Sequence, residues 1–307
     1  MNRGLPLPAL AFAAAAAASP SAPFLSGGWA LRWTSDAARG LASFEGVEED
    51  RSDSHPGADH ILMDGENFRF NMHMVDRDGS DRQRHEVKGV NAPGRGDLEL
   101  LQGETWMFVY EMFIPGTLTG GSHFSHIFQQ KMVSDAGSSG GPVLTLSTAE
   151  GNTLLPRVIS GFSALPLSGL WDKWIEITFE HKVDVSGNGG YVRWSVRDVA
   201  GGTVLTDQKK NGSVWVNEGT RDRRLRPKWG IYRSIESDGL KDCHLLLRNM
   251  RAYQDDPSIA IRAVHFRAPR IEGAARFDLK GARLGPAPEP DRPGRVALPP
   301  GIFHWSP

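Results

Sequence analysis

The segment Lys228-Trp-Gly-Ile-Tyr-Arg233 carries residue types suited to proton transfer beside a bound anion. In an extended strand alternate side chains share a face, so Lys228, Gly230 and Tyr232 point one way and Trp229, Ile231 and Arg233 the other. A cation, a gap and a phenol on one face suit a groove that holds an anionic ligand beneath a hydroxyl. The same pattern fits a half-buried strand whose tyrosine caps a sheet. Arg84-His-Glu-Val-Lys88 places Arg84, Glu86 and Lys88 together. There Glu86 would fix two cationic arms, and Arg84 would offer a forked pair of donors to a carboxylate. A solvated salt-bridge ladder is the alternative. In His123–Lys131, parity groups Ile127, Gln129 and Lys131 apart from His126, Phe128 and Gln130. Gln129 would donate an amide N–H while Lys131 supplies charge, with His126 and Gln130 as the other pairing. His123 and His126 match no metal motif, and the expectation is no metal and no cofactor, with structural calcium left open.

These residues need a sheet to bring them together, and period-2 alternation runs from about residue 28 to 254. Phe68, Phe70, Met72 and Met74 interleave with polar residues, as do Trp106 through Ile114, Ile175 through Phe179, Val192 through Val196, and Leu245 with Leu247. Asp76–Ser80, Ser186–Gly190 and Ala200–Thr203 read as turns between them. No long stretch has helical periodicity. The fold class expected is all-β: an antiparallel two-sheet jelly roll, a concanavalin-like sandwich with a concave substrate groove over residues 28–254.

The chain of 307 residues, with 39% hydrophobic and 23% charged residues, is of ordinary globular composition and long enough for one large core. A formal net charge of −1 gives no global case for nucleic-acid or membrane binding, so anion recognition must be local. The single cysteine, Cys243, excludes an internal disulfide framework and a multi-cysteine zinc site. Arg3, the apolar run Leu10–Ala18 and small residues to Ala22 have the build of a signal peptide over residues 1–22, pointing to a secreted or periplasmic protein. A disordered Ala-rich leader is the other reading. Residues 255–307 form a Pro-rich extension ending in Ile302, Phe303 and Trp305, either a tail over the main domain or a linker with a docking segment. The expected partner is an anionic ligand, which the resemblance described next implies is a polysaccharide, with the protein a monomer.

Arg84-His-Glu-Val-Lys88, Gln129-Gln-Lys131 and Lys228-Trp-Gly-Ile-Tyr232 resemble, in the same order, the signature strands of jelly-roll polysaccharide lyases. That group includes alginate lyases, glucuronan lyases and heparin-lyase-like proteins. Gly169–Ile177 and the hairpin to Tyr191–Val196 further resemble the glucuronan-lyase-type branch. The resemblance implies β-elimination at a 4-linked uronic acid, with Tyr232 transferring protons and Gln129 binding the carboxylate. It places Arg84 and Lys228 along the sugar path. Alginate lyases have histidine two places after the motif glutamine, where this chain has Lys131. That departure leaves His73, His85 or His126 as candidate bases; strict alternation turns His85 away unless a bulge intervenes. Glu86, Lys88 and Arg233 complete the expected binding set. The rival readings are a carbohydrate-binding module using Trp171, Trp174 or Trp215, and a glycoside hydrolase using Glu176 and Glu180.

Overall fold

The computed structural model describes residues 28–92, 96–134, 141–157, 159–216, 223–256, 276–277 and 283–284. The proposed signal peptide and the terminal Ile302–Trp305 segment lie outside them. In chain order the strands are β1 (Trp29–Thr34), β2 (Gly46–Glu48), β3 (Ile61–Asp64), β4 (Asn67–Met72), β5 (Arg82–Lys88), β6 (Asn91–Ala92), β7 (Gly96–Asp97) and β8 (Thr105–Phe113). Then follow β9 (Ser125–Ser134), β10 (Pro142–Ala149), β11 (Thr153–Arg157), β12 (Leu165–Pro166), β13 (Trp174–Lys182), β14 (Tyr191–Asp198), β15 (Val204–Asn211), β16 (Arg223–Ser234) and β17 (Cys243–Asp255). Residues 263–307 make a separate compact unit, in which β18 (Arg276–Phe277) pairs with β19 (Arg283–Leu284).

Two antiparallel sheets carry the first unit. One is ordered β15-β14-β13-β8-β17-β4-β3, with β1 also paired to β17; the other is ordered β12-β11-β10-β9-β16-β5-β2. The chain changes sheet between β1 and β2, β2 and β3, β4 and β5, β8 and β9, β12 and β13 and on both sides of β16, and it passes from β5 to β8 by way of the separate β6–β7 pair. That is the jelly-roll pattern expected from the sequence. No helix among the described residues is long and apolar enough to cross a membrane.

Alternation decides what each sheet buries. Phe68, Phe70, Phe108, Tyr110, Ile177, Phe179 and Leu245 of the first sheet meet Val87, Phe128, Leu146, Trp229 and Ile231 of the second. Trp229 is the hub: its ring lies 5.5 Å from Phe128, 5.8 Å from Phe108 and 6.1 Å from Trp33. Such aromatic contacts add about 0.5–1.5 kcal/mol each beyond their buried area. Anchoring Trp229 inward fixes the phase of β16, and so turns Lys228 and Tyr232 outward.

Candidate active site

Directly opposed residues of an antiparallel pair share a face, so the register gives the outer face of the second sheet row by row. One row runs Arg157, Thr145, Gln129, Lys228 and Lys88 across β11, β10, β9, β16 and β5. A second runs Ser147, His126, Tyr232 and Arg84 across β10, β9, β16 and β5. The rows diverge. At about 3.3 Å per residue, they stand roughly 7 Å apart on β10 and roughly 13 Å apart on β16 and β5. Glu86, opposite Gly230, fills the widening.

Offsets in β-bulge fashion create this fan. Ile127 is an extra residue of β9 relative to β10, and Gly230-Ile231 oppose it where one residue would be regular. Ile127 turns into the core, so His126 joins Gln129 on the outer face. Simple parity separated those two residues, and the bulge corrects that. Gly230 takes φ 138°, and a Cβ there would lie 2.1 Å from the His85 carbonyl oxygen and 2.8 Å from Glu86 Cα. Only glycine lets β5 approach so closely.

Tyr232 is the half-buried centre of the second row. Arg82 Nη1 donates to its hydroxyl oxygen at 2.9 Å, and the Arg84 guanidinium lies 3.9 Å from its ring centroid. Phe124 and His126 pack beside the ring at 4.9 and 5.9 Å between centroids. His126 Nδ1 is 2.9 Å from Ser147 Oγ. Burial, then the charges of Arg157 and Arg84, hold the His126 imidazole at about 4, so it is neutral at ordinary pH. Sequence reasoning missed Arg82, although it shares the parity of Arg84 and Glu86. It also missed Ser147 and Arg157, which only the strand register brings in.

Beneath the first row is a buried ionic support. Gln129 donates from Nε2 to Glu86, and Glu86 accepts from Lys228 Nζ at 3.1 Å. Lys228 also donates to Glu48, which Arg84 contacts at 3.1 Å and Lys88 at 3.5 Å. Burial works against the Glu48 charge, but Lys228 and Arg84 outweigh it and hold the carboxyl at about 2. Asp78 takes Arg84 Nε at 2.9 Å. Lys131 is half-buried, its amine lowered by burial and by the charges of Lys228 and Arg84. Among the described residues, Lys131 and Arg157 form no ion pair.

The expected residues therefore divide. Tyr232, Arg84, Lys131, Lys88, Gln129 and His126 face the groove. Glu86 and Lys228 are 0% and 1% exposed and engaged with each other. They brace Gln129 and Arg84 rather than meet a ligand, because burial without those partners would leave isolated charges. Arg233 is a correction. It points to the opposite face, where it donates to Gln83 Oε1 at 2.7 Å and to the Lys241 carbonyl at 3.0 Å. His85 is also turned away and fully buried, with Nδ1 2.6 Å from the Asn71 carbonyl. His73 lies beside Asp76, at 3.2 Å. Trp215 belongs to the core, Trp171 packs against it, and Trp174 lies under Arg248 on the other sheet, so none lines the groove. Glu176 and Glu180 are on that other sheet too, taken up by Arg197 and by the Tyr191 hydroxyl.

No family model and no curated protein matches this chain. Among solved structures it is similar to a family 7 alginate lyase, AlgAT5, at 14% identity, covering 74% of this chain and 94% of that one with a TM-score of 0.44. It is similar to the alginate lyase of Aplysia kurodai at 12% identity, covering 73% and 98%, with a TM-score of 0.46. For the Chlorella virus alginate lyase vAL-1 the identity is 12%, the coverage 73% and 99%, and the TM-score 0.44.

Proposed function

We propose that this protein is a polysaccharide lyase that cleaves a 4-linked uronic-acid polymer by β-elimination. The observation that carries the reading is Tyr232, whose hydroxyl oxygen accepts from Arg82 while Arg84 lies on its ring. Both guanidinium groups place positive charge close to the phenol ring and its oxygen. In the proposed step the Tyr232 phenolate takes the C5 proton of the uronate. The electron pair forms the C4=C5 bond as C4–O4 breaks, and the same phenol returns its proton to O4. One group serving both transfers places the leaving oxygen and the proton on the same side of the ring. His126 stays neutral beside Tyr232 and adds no positive charge that would hold the polymer after cleavage.

Removing the C5 proton loads a second charge onto the carboxylate, so donors must meet that charge as it develops. Lys131 and Arg157 are cations without an ion pair among the described residues. Gln129 keeps its second amide N–H after donating the first to Glu86. The hydrolase reading is weaker, because the groove carboxylates Glu48, Glu86 and Asp78 are each held by cations. None is placed to protonate a leaving group as a hydrolase acid must. The binding-module reading loses its stacking tryptophans to the core and the far sheet.

The test is direct. Purified full-length protein is incubated with a panel of polyuronates, and the ultraviolet absorbance of the unsaturated product is followed. A steady rise with at least one polymer is expected. Binding without absorbance, or new reducing ends without absorbance, would overturn the lyase reading.

A further inference from the structure

Away from the groove, His55, His60, His73 and Asp76 bring three imidazoles and a carboxylate together, with one ligand atom from each within 4.8 Å of all the others. The β3–β4 hairpin makes this possible. His60 directly precedes β3 and His73 directly follows β4, so pairing of the two strands sets them side by side; Asn71 N donates to the His60 carbonyl at 2.7 Å. Asp76 is fully buried and central. Its carboxylate lies 3.0 Å from His55 Nδ1, 3.2 Å from His73 Nδ1 and 3.6 Å from His60 Nδ1.

We infer that these four residues form a structural binding site for a zinc-class divalent ion. Hydrogen bonding within the cluster does not account for His60. It is 3% exposed, yet neither ring nitrogen has a hydrogen-bond partner. Two orphaned nitrogens on a buried imidazole are an unfavourable arrangement unless something takes their lone pair. An ion bound at Nδ1 would do so. It would also leave Nε2 as an N–H directed towards Asp50, whose carboxylate is 3.9 Å away. A carboxylate behind a metal-bound imidazole is the usual way such a ring is oriented.

The donor set selects the ion. Imidazole-rich sites suit zinc and its neighbours, whereas calcium and magnesium take oxygen ligands. Three histidines and one aspartate complete a tetrahedron and leave no open position, which is the pattern of a structural site. In a closed site with bonds of about 2.0–2.1 Å the donor atoms lie roughly 3.3 Å apart, so metal loading draws these side chains inward by modest rotations. The sequence analysis does not single out this cluster because its members fall at four separated positions that only the hairpin unites.

The site has a structural consequence for the groove, independent of what the groove does. His55 comes from the segment before β3 and Asp76 from the loop after β4, so an ion would clamp the two segments together. That second loop carries Asp78, which holds Arg84. Its carbonyls at His73 and Asp76 accept from Gln83 at 2.7 and 3.0 Å.

The test uses the full chain purified without a metal-affinity step. Metal content is measured, the protein is stripped with chelator, and zinc, calcium or magnesium is added back while the unfolding midpoint is followed. About one zinc per chain is expected, with a midpoint raised by roughly 5 °C or more by zinc and not by calcium or magnesium. Cobalt should give the visible absorption of a tetrahedral site. His60→Ala should abolish both effects. The half-exposed His55 permits a milder variant, and His55→Gln should fold and weaken zinc binding at least tenfold. The inference is overturned if stripped protein shows no zinc-dependent midpoint, if calcium acts equally well, or if His55→Gln binds zinc as tightly as the parent.

Discussion

Tyr191 and Tyr232 sit on opposite outer faces of the sandwich, each under a cation, and they differ in what the hydroxyl touches. Lys209 Nζ lies 3.5 Å from the Tyr191 ring centroid and Arg84 3.9 Å from that of Tyr232. The Tyr191 hydroxyl donates to Glu180 at 2.6 Å, and burial together with that carboxylate pushes its phenol well above the ordinary range. The Tyr232 oxygen instead accepts from Arg82. A cation over the ring is thus common to both. The in-plane partner makes the Tyr191 phenol a donor that keeps its proton, whereas the Tyr232 oxygen faces a donor of its own. The surrounding rows follow suit. On the Tyr191 face, Arg197, Glu176, Glu111 and Arg248 oppose one another in sequence and close into ion pairs. On the Tyr232 face, Lys131 and Arg157 are left over.

The sharpest way to break this contrast is to remove each hydroxyl in turn. Tyr232→Phe should lower turnover about a thousandfold, in the range of lost general acid–base catalysis, with the unfolding midpoint close to the parent. Tyr191→Phe should keep turnover within about twofold and lose stability instead, since Glu180 loses a donor. Equal effects on turnover would end the distinction.

Next in size is the backbone that opens the groove. Gly230→Ala places a methyl against the His85 carbonyl at a φ that side chains rarely adopt, so we expect a loss of at least about 2 kcal/mol in denaturant unfolding. A variant as stable as the parent would show that the close β5–β16 approach is not needed.

Arg82→Met keeps most of the side chain and removes the donor to Tyr232. Turnover should fall about ten- to a hundredfold, with the unfolding midpoint near the parent, because the Tyr232 oxygen loses the donor that positions it. Turnover within twofold of the parent would remove Arg82 from the site.

Two histidines extend the comparison to pH. His126 in the groove is held at about 4 by burial and by Arg157 and Arg84, and His181 in the core at about 3 by burial alone. Both lie below the unfolded value of about 6.5, so the unfolded chain takes up protons first as pH falls. Stability from each is complete above that value and declines below it, by up to about 1.4 kcal/mol per pH unit, until the folded group itself protonates. Unfolding midpoints measured from pH 7 to 4 should fall, and His181→Phe should flatten the decline while leaving turnover near pH 7 unchanged. His126 should add no inflection of its own to the activity profile near pH 6.5, since its imidazole is held at about 4; an inflection centred near pH 6.5 would contradict its environment.

Much of this was legible in the alternation. Trp229, Ile231 and Phe128 declare the inward face of their strands, and with them the outward phase of Tyr232 and Gln129. His126 was not legible, because a bulge at Ile127 depends on how β10 and β16 pair with β9, and apolar Ile127 looks regular in isolation. Arg233 was misjudged on charge alone; a buried guanidinium is tolerated there because Gln83, Cys243 and the Lys241 carbonyl surround it. β15 gave no alternation because it is an edge strand with both faces largely solvated. Ionic rows look alike in sequence whether they close on themselves or leave charge over, since the partner comes from another strand.

The smallest effect tests that last point. Glu176 is 2% exposed and paired with Arg197 at 3.0 Å, yet Glu111 stands directly opposite it on β8. Glu176→Gln removes an attraction and a like-charge repulsion together. Arg197 remains partly solvated, so the orphaned cation is not a deeply buried one. The net change should be about 1 kcal/mol or less in unfolding, with turnover within twofold of the parent. A tenfold fall in turnover would mean that the closed row reaches the chemistry after all, and that self-cancelling charge is not what separates the two faces.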